Sequence, residues 1–417
     1  MKSAENPWKK CLETVSISEI GLRRSNNQDS YQEVPARNQK IWNSRGHVFS
    51  VADGMGAHAA GELASKMATD IIPNVYLKQT LLPPAEALTL AIQEANRNIH
   101  KKGNSDKELH GMGTTNDTLV ILPEGAMIGH VGDSRVYRLR GKKWEQMTSD
   151  HSVVWAKEEA GEVIDETVHK NVITRCLGVS PEIKVDIEGP SPIMPGDIFL
   201  LCSDGLCGQF EDSEMGKILA VLPLPQAVRA LVDLANLRGG PDNITVITVK
   251  YLGPQQAVSK ADEKPLPPAA QTEMPLPPVS QWVWYLLAGA GTTFLLGLVS
   301  FMFSFLLGLV LVIAGGGGAA AAGGLICFRK PQKAFTRRYG KGPYRTYSAV
   351  CDEKFAGELK KIFKELYASV ENQENLDLKT PLRMAQAASK ALDVRNYEES
   401  TRNFALAISA IWRQLTE

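Results

Sequence analysis

Three aspartates stand where an apolar run meets a glycine turn. "HVFSVADG" closes on Asp53 and Gly54, "IFLLCSDG" closes on Asp204 and Gly205, and "GGPDNITVITV" opens with Asp242 after a Gly-Gly-Pro turn. Glycine beside a carboxylate lets the backbone approach a ligand closely. Hard divalent cations such as Mg²⁺ and Mn²⁺ prefer carboxylate, carbonyl and water oxygens. Two ions sharing a carboxylate would hold a water suited to in-line attack on phosphorus. Taken singly, each aspartate serves equally well as a turn cap, and the residue types alone leave both readings open.

The elements that would carry these carboxylates lie within residues 15–252, which read as one α/β unit. Runs such as "NDTLVIL", "AMIGHVGDSRVYRL" and "NITVITVKYL" are rich in Val and Ile and bounded by Gly, Pro and Asp, as strands are. "GELASKMATDIIPNVY" and "PAEALTLAIQEANRNIHKK" repeat apolar residues every three or four positions, as helices do. Many strands and few intervening helices favour a mixed or antiparallel sheet.

The sequence resembles the metal-dependent protein phosphatases of type 2C, in their bacterial form. The motifs run in order: "GLRRSNNQDS", "VADGMGAHAAGELAS", "GMGTT", "HVGDSRVYRLR", "MTSDHS", "NVITRCLG", "LLCSDGL" and "GGPDNITVITV". The resemblance implies an α+β fold, a four-layer α/β/β/α sandwich of two stacked antiparallel sheets flanked by helices, with a metal cleft at one end. It implies two Mn²⁺ or Mg²⁺ ions. Asp53 would bridge both, the Gly54 carbonyl would ligate the second, Asp204 and Asp242 would complete the first, and Asp29 would act through water. Arg24 would hold the substrate phosphate, since a guanidinium donates two parallel hydrogen bonds to it. Asp133 matches a position that helps bind a third, weaker ion, and residues 152–171 match the flap beside the cleft. No cysteine begins a Cys-x5-Arg loop, so a phosphocysteine mechanism lacks its nucleophile.

The chain departs from the family in places. Gln28 stands where glutamate is usual, which removes a charge from the second metal's ligands. Gly208 stands where an aspartate commonly serves the third metal, so Asp133 alone would have to hold that ion. Ala57 replaces a glycine, and His58 lies three residues beyond the place where animal members carry a candidate general acid. His151 reads as structural.

Beyond residue 252 the character changes. Seven of the 23 prolines fall in 253–281, a stiff linker. From Trp282 to Phe328 there are 47 residues without a charge. As helix they would reach about 70 Å, over twice the bilayer core, and they open with the aromatic "WVWY". Seven basic residues follow in 329–346, and the N-terminus lacks an apolar leader. Both ends on the cytoplasmic side favour a two-span hairpin, roughly 282–303 and 307–328, over a single span. The expected localisation is therefore the cell membrane, multi-pass or single-pass, with the catalytic domain facing the cytoplasm and the basic stretch serving equally as a lipid-headgroup site or as a topology signal. Residues 347–417 read as a small all-α domain, with Phe355, Leu359, Ile362, Phe363 and Leu366 on one helix face.

Composition narrows the partners. Lys plus Arg equals Asp plus Glu at 46 each, which offers nucleic acid no basic excess. Six dispersed cysteines form neither a zinc ribbon nor a disulfide scaffold. The leading function is a membrane-anchored phosphatase of phosphoserine and phosphothreonine in proteins, opposing a serine/threonine kinase. The alternative is a pseudophosphatase that binds phosphoproteins without turnover. The sequence names no partner for the C-terminal helices.

Overall fold

The structure is a computed structural model and describes residues 11–57, 59–162, 172–211, 213–253, 292, 339–373 and 375–416. The chain divides into two compact units, residues 1–257 with 338–417, and residues 258–337. Of the second unit only Thr292 is described, and the described sheets and helices belong to the first.

Two antiparallel sheets carry the fold. One orders β2 (Asp29–Val34), β3 (His47–Met55), β5 (Asn116–Leu122), β6 (Gly125–Val131) and β9 (Asp186–Ser191), with β4 (Gly113–Thr114) pairing the end of β3. The other orders β1 (Leu12–Glu19), β11 (Ile244–Tyr251), β10 (Ile198–Cys202), β7 (Arg135–Arg140), β8 (Lys143–Gln146) and β12 (Arg345–Ser348). Phe49, Leu119, Ile128, Phe199 and Leu201 fill the space between them. β11 shows why these strands read as continuous apolar runs. Its Ile247, Val249 and Tyr251 face the opposite sheet, while Ile244 and Val246 face the helices, the two-residue period of a strand covered on both sides.

Helices cover the outer faces. α2 (Ala60–Lys78) packs on β2 and β3, and α3 (Pro84–Ser105) lies against α2 and β6. Leu88, Ile92, Ala95 and Ile99 give α3 its buried stripe. Three short or medium helices follow later in the chain: α4 (Val153–Glu159), α5 (Asp204–Cys207) and α6 (Glu214–Val221). α7 (Leu224–Leu237) lies on β1 and β11. α1 (Gln39–Arg45) precedes β3 and touches β5.

The C-terminal helices, α8 (Glu353–Val370), α9 (Lys379–Asp393) and α10 (Tyr397–Thr416), add a further layer over α6 and α7. Phe355, Leu359, Phe363 and Leu366 are buried on α8 and join Phe404 and Ile408 of α10 in the same core as Leu219 and Leu231. Each such side chain gains roughly 1.5–3 kcal/mol on full burial. A seam with six of them is held mainly by apolar contact.

The membrane expectation is corrected. Among the described residues no helix is long and apolar enough to cross a membrane. The helices of spanning length, such as α3 and α10, carry charges along them and turn their apolar face to protein. The far end of the basic stretch, expected at a lipid surface, builds part of a sheet instead: Arg345 begins β12, paired with Gln146 of β8. Localisation at the cell membrane, a membrane partner and the transmembrane description are therefore withdrawn. The linker 254–281 and the rest of 282–328 lie outside the described residues.

Candidate active site

The strand register brings the first two carboxylates together. Asp29 opens β2 directly opposite Asp53 near the end of β3. The Asp53 main chain is held from its other side, where its N–H donates to Thr115 Oγ1 at 2.9 Å and its carbonyl accepts from the Thr115 N–H at 2.8 Å. The chain then passes Gly54, whose N–H donates to the Gln28 carbonyl at 3.1 Å. A Cβ at position 54 would stand 2.1 Å from the Gly61 carbonyl oxygen, so only glycine fits there.

Asp204 begins α5 immediately after β10. Ser203 ties it to the other sheet, donating its hydroxyl to Asp29 Oδ2 at 2.7 Å and accepting from the Thr245 N–H at 3.0 Å. Asp242 precedes β11, and its Oδ1 accepts from the Asn243 N–H at 2.8 Å. Asn243 sews the 20–28 loop to this strand. Its Oδ1 accepts from the Gln28 N–H at 2.8 Å, and its Nδ2 donates to the carbonyls of Ile20 and Asn26 at 2.9 and 3.0 Å. That loop delivers Arg24, whose Nη2 donates to Asp242 Oδ2 at 2.6 Å.

These residues meet around two cavities of about 250 and 410 Å³ whose walls share Arg24, Asp133, Asp204 and Asp242. Asp53, Gly54 and Gln28 line the smaller one. Burial raises the Asp53 carboxyl well above its ordinary range, and the charges of Asp29 and Asp204 push it further. Burial likewise lifts Asp29 to about 7 against the opposing hydrogen bond from Ser203, and lifts Asp133 to about 7 with help from Asp204. Asp204 is raised by burial and then by Asp242.

Carboxylates crowded this way lack the positive charge that would let them all ionise. Asp29 Oδ1 and Asp204 Oδ1 are buried without a hydrogen-bond partner. An oxygen-only donor set with open lone pairs fits a hard divalent cation. Among the described residues no three acidic, His or Cys side chains already converge on one point. The aspartates ring the cavity, and Asp242 leans toward Arg24.

Every residue singled out in the sequence as a site candidate therefore lies at this place: Arg24, Asp29, Asp53, Gly54, Asp133, Asp204 and Asp242. Gln28 is among them, its Nε2 donating to the Gly56 carbonyl at 3.3 Å. Gly208 faces the larger cavity. His151 lines neither cavity: its Nδ1 accepts from the Gly132 N–H at 3.0 Å, and its Nε2 lies 2.9 Å from Asp186 Oδ2 and 2.8 Å from Arg175 Nη1. His58 lies outside the described residues. Sequence reasoning passed over Ser203, Asn243 and Thr115, which hold the carboxylates in place. All three sit inside quoted motifs, and that adjacency was the available signal. Arg345 lines the larger cavity only, from a strand more than 100 residues beyond Asp242.

A family model for protein phosphatase 2C matches residues 23–236. The chain belongs to the protein phosphatase 2C family. It is 35% identical over 246 residues to protein phosphatase PhpP of Streptococcus pneumoniae, a match covering 57% of this chain and 97% of that protein. It is 38% identical over 212 residues to serine/threonine phosphatase stp of Listeria innocua, covering 49% and 84%. The solved S. agalactiae serine/threonine phosphatase superposes with a TM-score of 0.52 at 33% identity, covering 57% of this chain and 99% of that one. The Mycobacterium tuberculosis phosphatase PstP/Ppp does so at 0.51 and 29%, covering 58% and 99%. The type 2C likeness carried by the motifs is thus the family itself, and the chain is a protein phosphatase enzyme. Strand β12 and helices α8–α10 of this phosphatase 2C chain lie beyond the residues the family model matches.

Proposed function

We propose that this phosphatase removes phosphate from phosphoserine and phosphothreonine in proteins, as the names of its relatives suggest, using divalent cations held by Asp53, Asp204, Asp242 and the Gly54 carbonyl. The observation that carries the reading is the ring of aspartates around one cavity, with buried carboxylate oxygens that have no partner. Mn²⁺ or Mg²⁺ bound there supplies charge neutralisation and lowers the pKa of water. Asp29 supports the set from behind, fixed by Ser203, and Asp133 offers a further carboxylate toward a weaker ion.

Arg24 orients the substrate. It lies at the cavity wall, half exposed, and its guanidinium can exchange the Asp242 carboxylate for two phosphoryl oxygens. Thr115 and Asn243 keep Asp53 and the Arg24 loop in register. Natural substrates would be targets of a serine/threonine kinase. No observation favours a silent phosphoprotein-binding module.

The test uses the full chain, because α8–α10 share a core with the catalytic unit. Phosphothreonine-peptide hydrolysis is measured with Mn²⁺, with EDTA, and in Asp53→Ala and Asp242→Ala. Turnover that needs Mn²⁺ and falls by at least about 100-fold in both variants is expected. Turnover that survives EDTA or either substitution would sink the assignment.

A further inference from the structure

From residue 338 the chain belongs again to the catalytic unit. Tyr339 and Gly189 exchange backbone hydrogen bonds at 2.6 and 3.0 Å. Glu188 then accepts from the Gly342 N–H at 2.9 Å and from the Tyr344 hydroxyl at 2.6 Å. The Tyr344 N–H donates to the Gln146 carbonyl at 2.9 Å, and β12 follows along β8. These contacts fix Arg345 at the edge of the sheet, facing α4.

Arg345 grips α4 in two ways. Its guanidinium lies 4.0 Å over the Trp155 ring, and it forms an ion pair with Glu158 one turn further on. Tyr344 adds an edge contact to the same ring, with centroids 6.3 Å apart. α4 is only seven residues long, too short to be a stable helix alone. Trp155, its one buried residue, is held in part by these two side chains. Trp155, Glu158 and Arg345 together form the outer wall of the larger cavity, whose inner wall includes Asp204 and Asp242.

We infer that Arg345 is a positioning residue that sets substrate specificity: it clamps α4 as the outer wall of the cleft, so that a phosphorylated polypeptide is bound along a surface partly built by the segment after residue 338. The inference rests on the phosphatase reading for its substrate and on geometry alone for the clamp. The smaller cavity, with Asp53, Gly54 and Arg24 in its wall, is lined by no residue of α4 or β12, so a small aryl phosphate would use it without them, whereas a phosphopeptide would extend into the larger cavity that α4 and Arg345 help to wall. Arginine suits the task because a planar guanidinium stacks on indole while pairing with a carboxylate, which lysine cannot do at once.

The full chain with Mn²⁺ is compared with Arg345→Ala and Arg345→Lys on two substrates, a phosphothreonine peptide and p-nitrophenyl phosphate. Arg345→Ala should raise KM for the peptide about tenfold with kcat within about twofold, and leave p-nitrophenyl phosphate hydrolysis within about twofold. Arg345→Lys should recover less than half of the loss. Independently of activity, trypsin should cut after Lys157 of α4 about tenfold faster in Arg345→Ala, because cleavage needs local opening of the helix. Equal losses on both substrates, or no change in peptide KM, would overturn the specificity claim. Unchanged cleavage after Lys157 would overturn the clamp. If the unsubstituted chain hydrolyses neither substrate, the phosphatase reading and the specificity claim fall together, and Lys157 cleavage still decides the clamp.

Discussion

Arg24 donates to Asp242 across 218 residues of sequence, at 2.6 Å. Both groups keep solvent exposure, 48% and 26% of their side chains, and exposed ion pairs contribute at most about 1 kcal/mol to folding. The pair therefore speaks to chemistry more than to stability. Arg24→Ala should lower kcat/KM for a phosphopeptide by about 10–100-fold while shifting Tm by less than about 2 °C. Steady-state kinetics and a thermal melt on the same preparation check both halves.

Asp53 faces four other aspartates with its carboxyl raised by burial and by their charges. A group whose folded pKa is raised favours its neutral form, so at neutral pH its ionisation opposes folding. Asp53→Asn keeps the shape and removes that charge. In EDTA at pH 7.5 the variant should melt about 2–4 °C higher than the parent, the shift that ~1 kcal/mol produces in a domain of this size, while losing activity with Mn²⁺. A lower Tm in EDTA would contradict the electrostatic account.

Gln28 lines the smaller cavity where a charged ligand would strengthen cation binding. Gln28→Glu should lower the Mn²⁺ concentration for half-maximal activity by about tenfold. Gly208→Asp should not act as a matching gain. A Cβ at 208 would lie 2.7 Å from the Asp204 carbonyl, which already accepts the Gly208 N–H at 2.7 Å. Asp204 would have to move, and activity should fall. Mn²⁺ titrations of the two single variants separate these effects.

Two buried histidines contribute an acid-sensitive share of the stability. Burial lowers His47 and His151 to about 4. Both are neutral in the fold, and the unfolded chain begins to bind their protons below about 6.5. The stability these two histidines contribute is therefore present above that value and is lost as pH falls from about 6.5 to 4. Asp186 adds to the loss at still lower pH. Burial opposes its ionisation, but the His151 hydrogen bond and the charge of Arg175 outweigh it and hold the carboxyl below its usual range. The raised carboxyls of Asp29, Asp53 and Asp133 pull the other way over the same range, so the histidine share is read by difference: relative to His47→Gln, the denaturant midpoint of the parent should fall between pH 6.5 and 4, and a constant difference would refute this.

Much of the site was legible in short stretches of residues. A β-strand ending in Asp-Gly is written in consecutive positions, and so are the amphipathic spacing of α8 and the motif order that marks the family. Asp53, Asp204 and Asp242 could be picked out because each sits where a strand meets a turn. Turn chemistry is set by neighbours within three or four positions.

Register and long-range pairing are settled only in the folded chain. Asp29 becomes a partner of Asp53 because β2 and β3 pair residue for residue. A shift of one position would turn it to the other face. Ser203 and Asn243 gain their roles by hydrogen-bonding across 174 and 215 residues. The basic residues after Phe328 read equally as a lipid-binding stretch or as a topology signal, since charge alone does not name its partner. Pairing of β12 with β8 put one of them, Arg345, on Trp155 at the mouth of the cleft. No local pattern encodes that contact, because it exists only once the sheet has an edge to receive the strand.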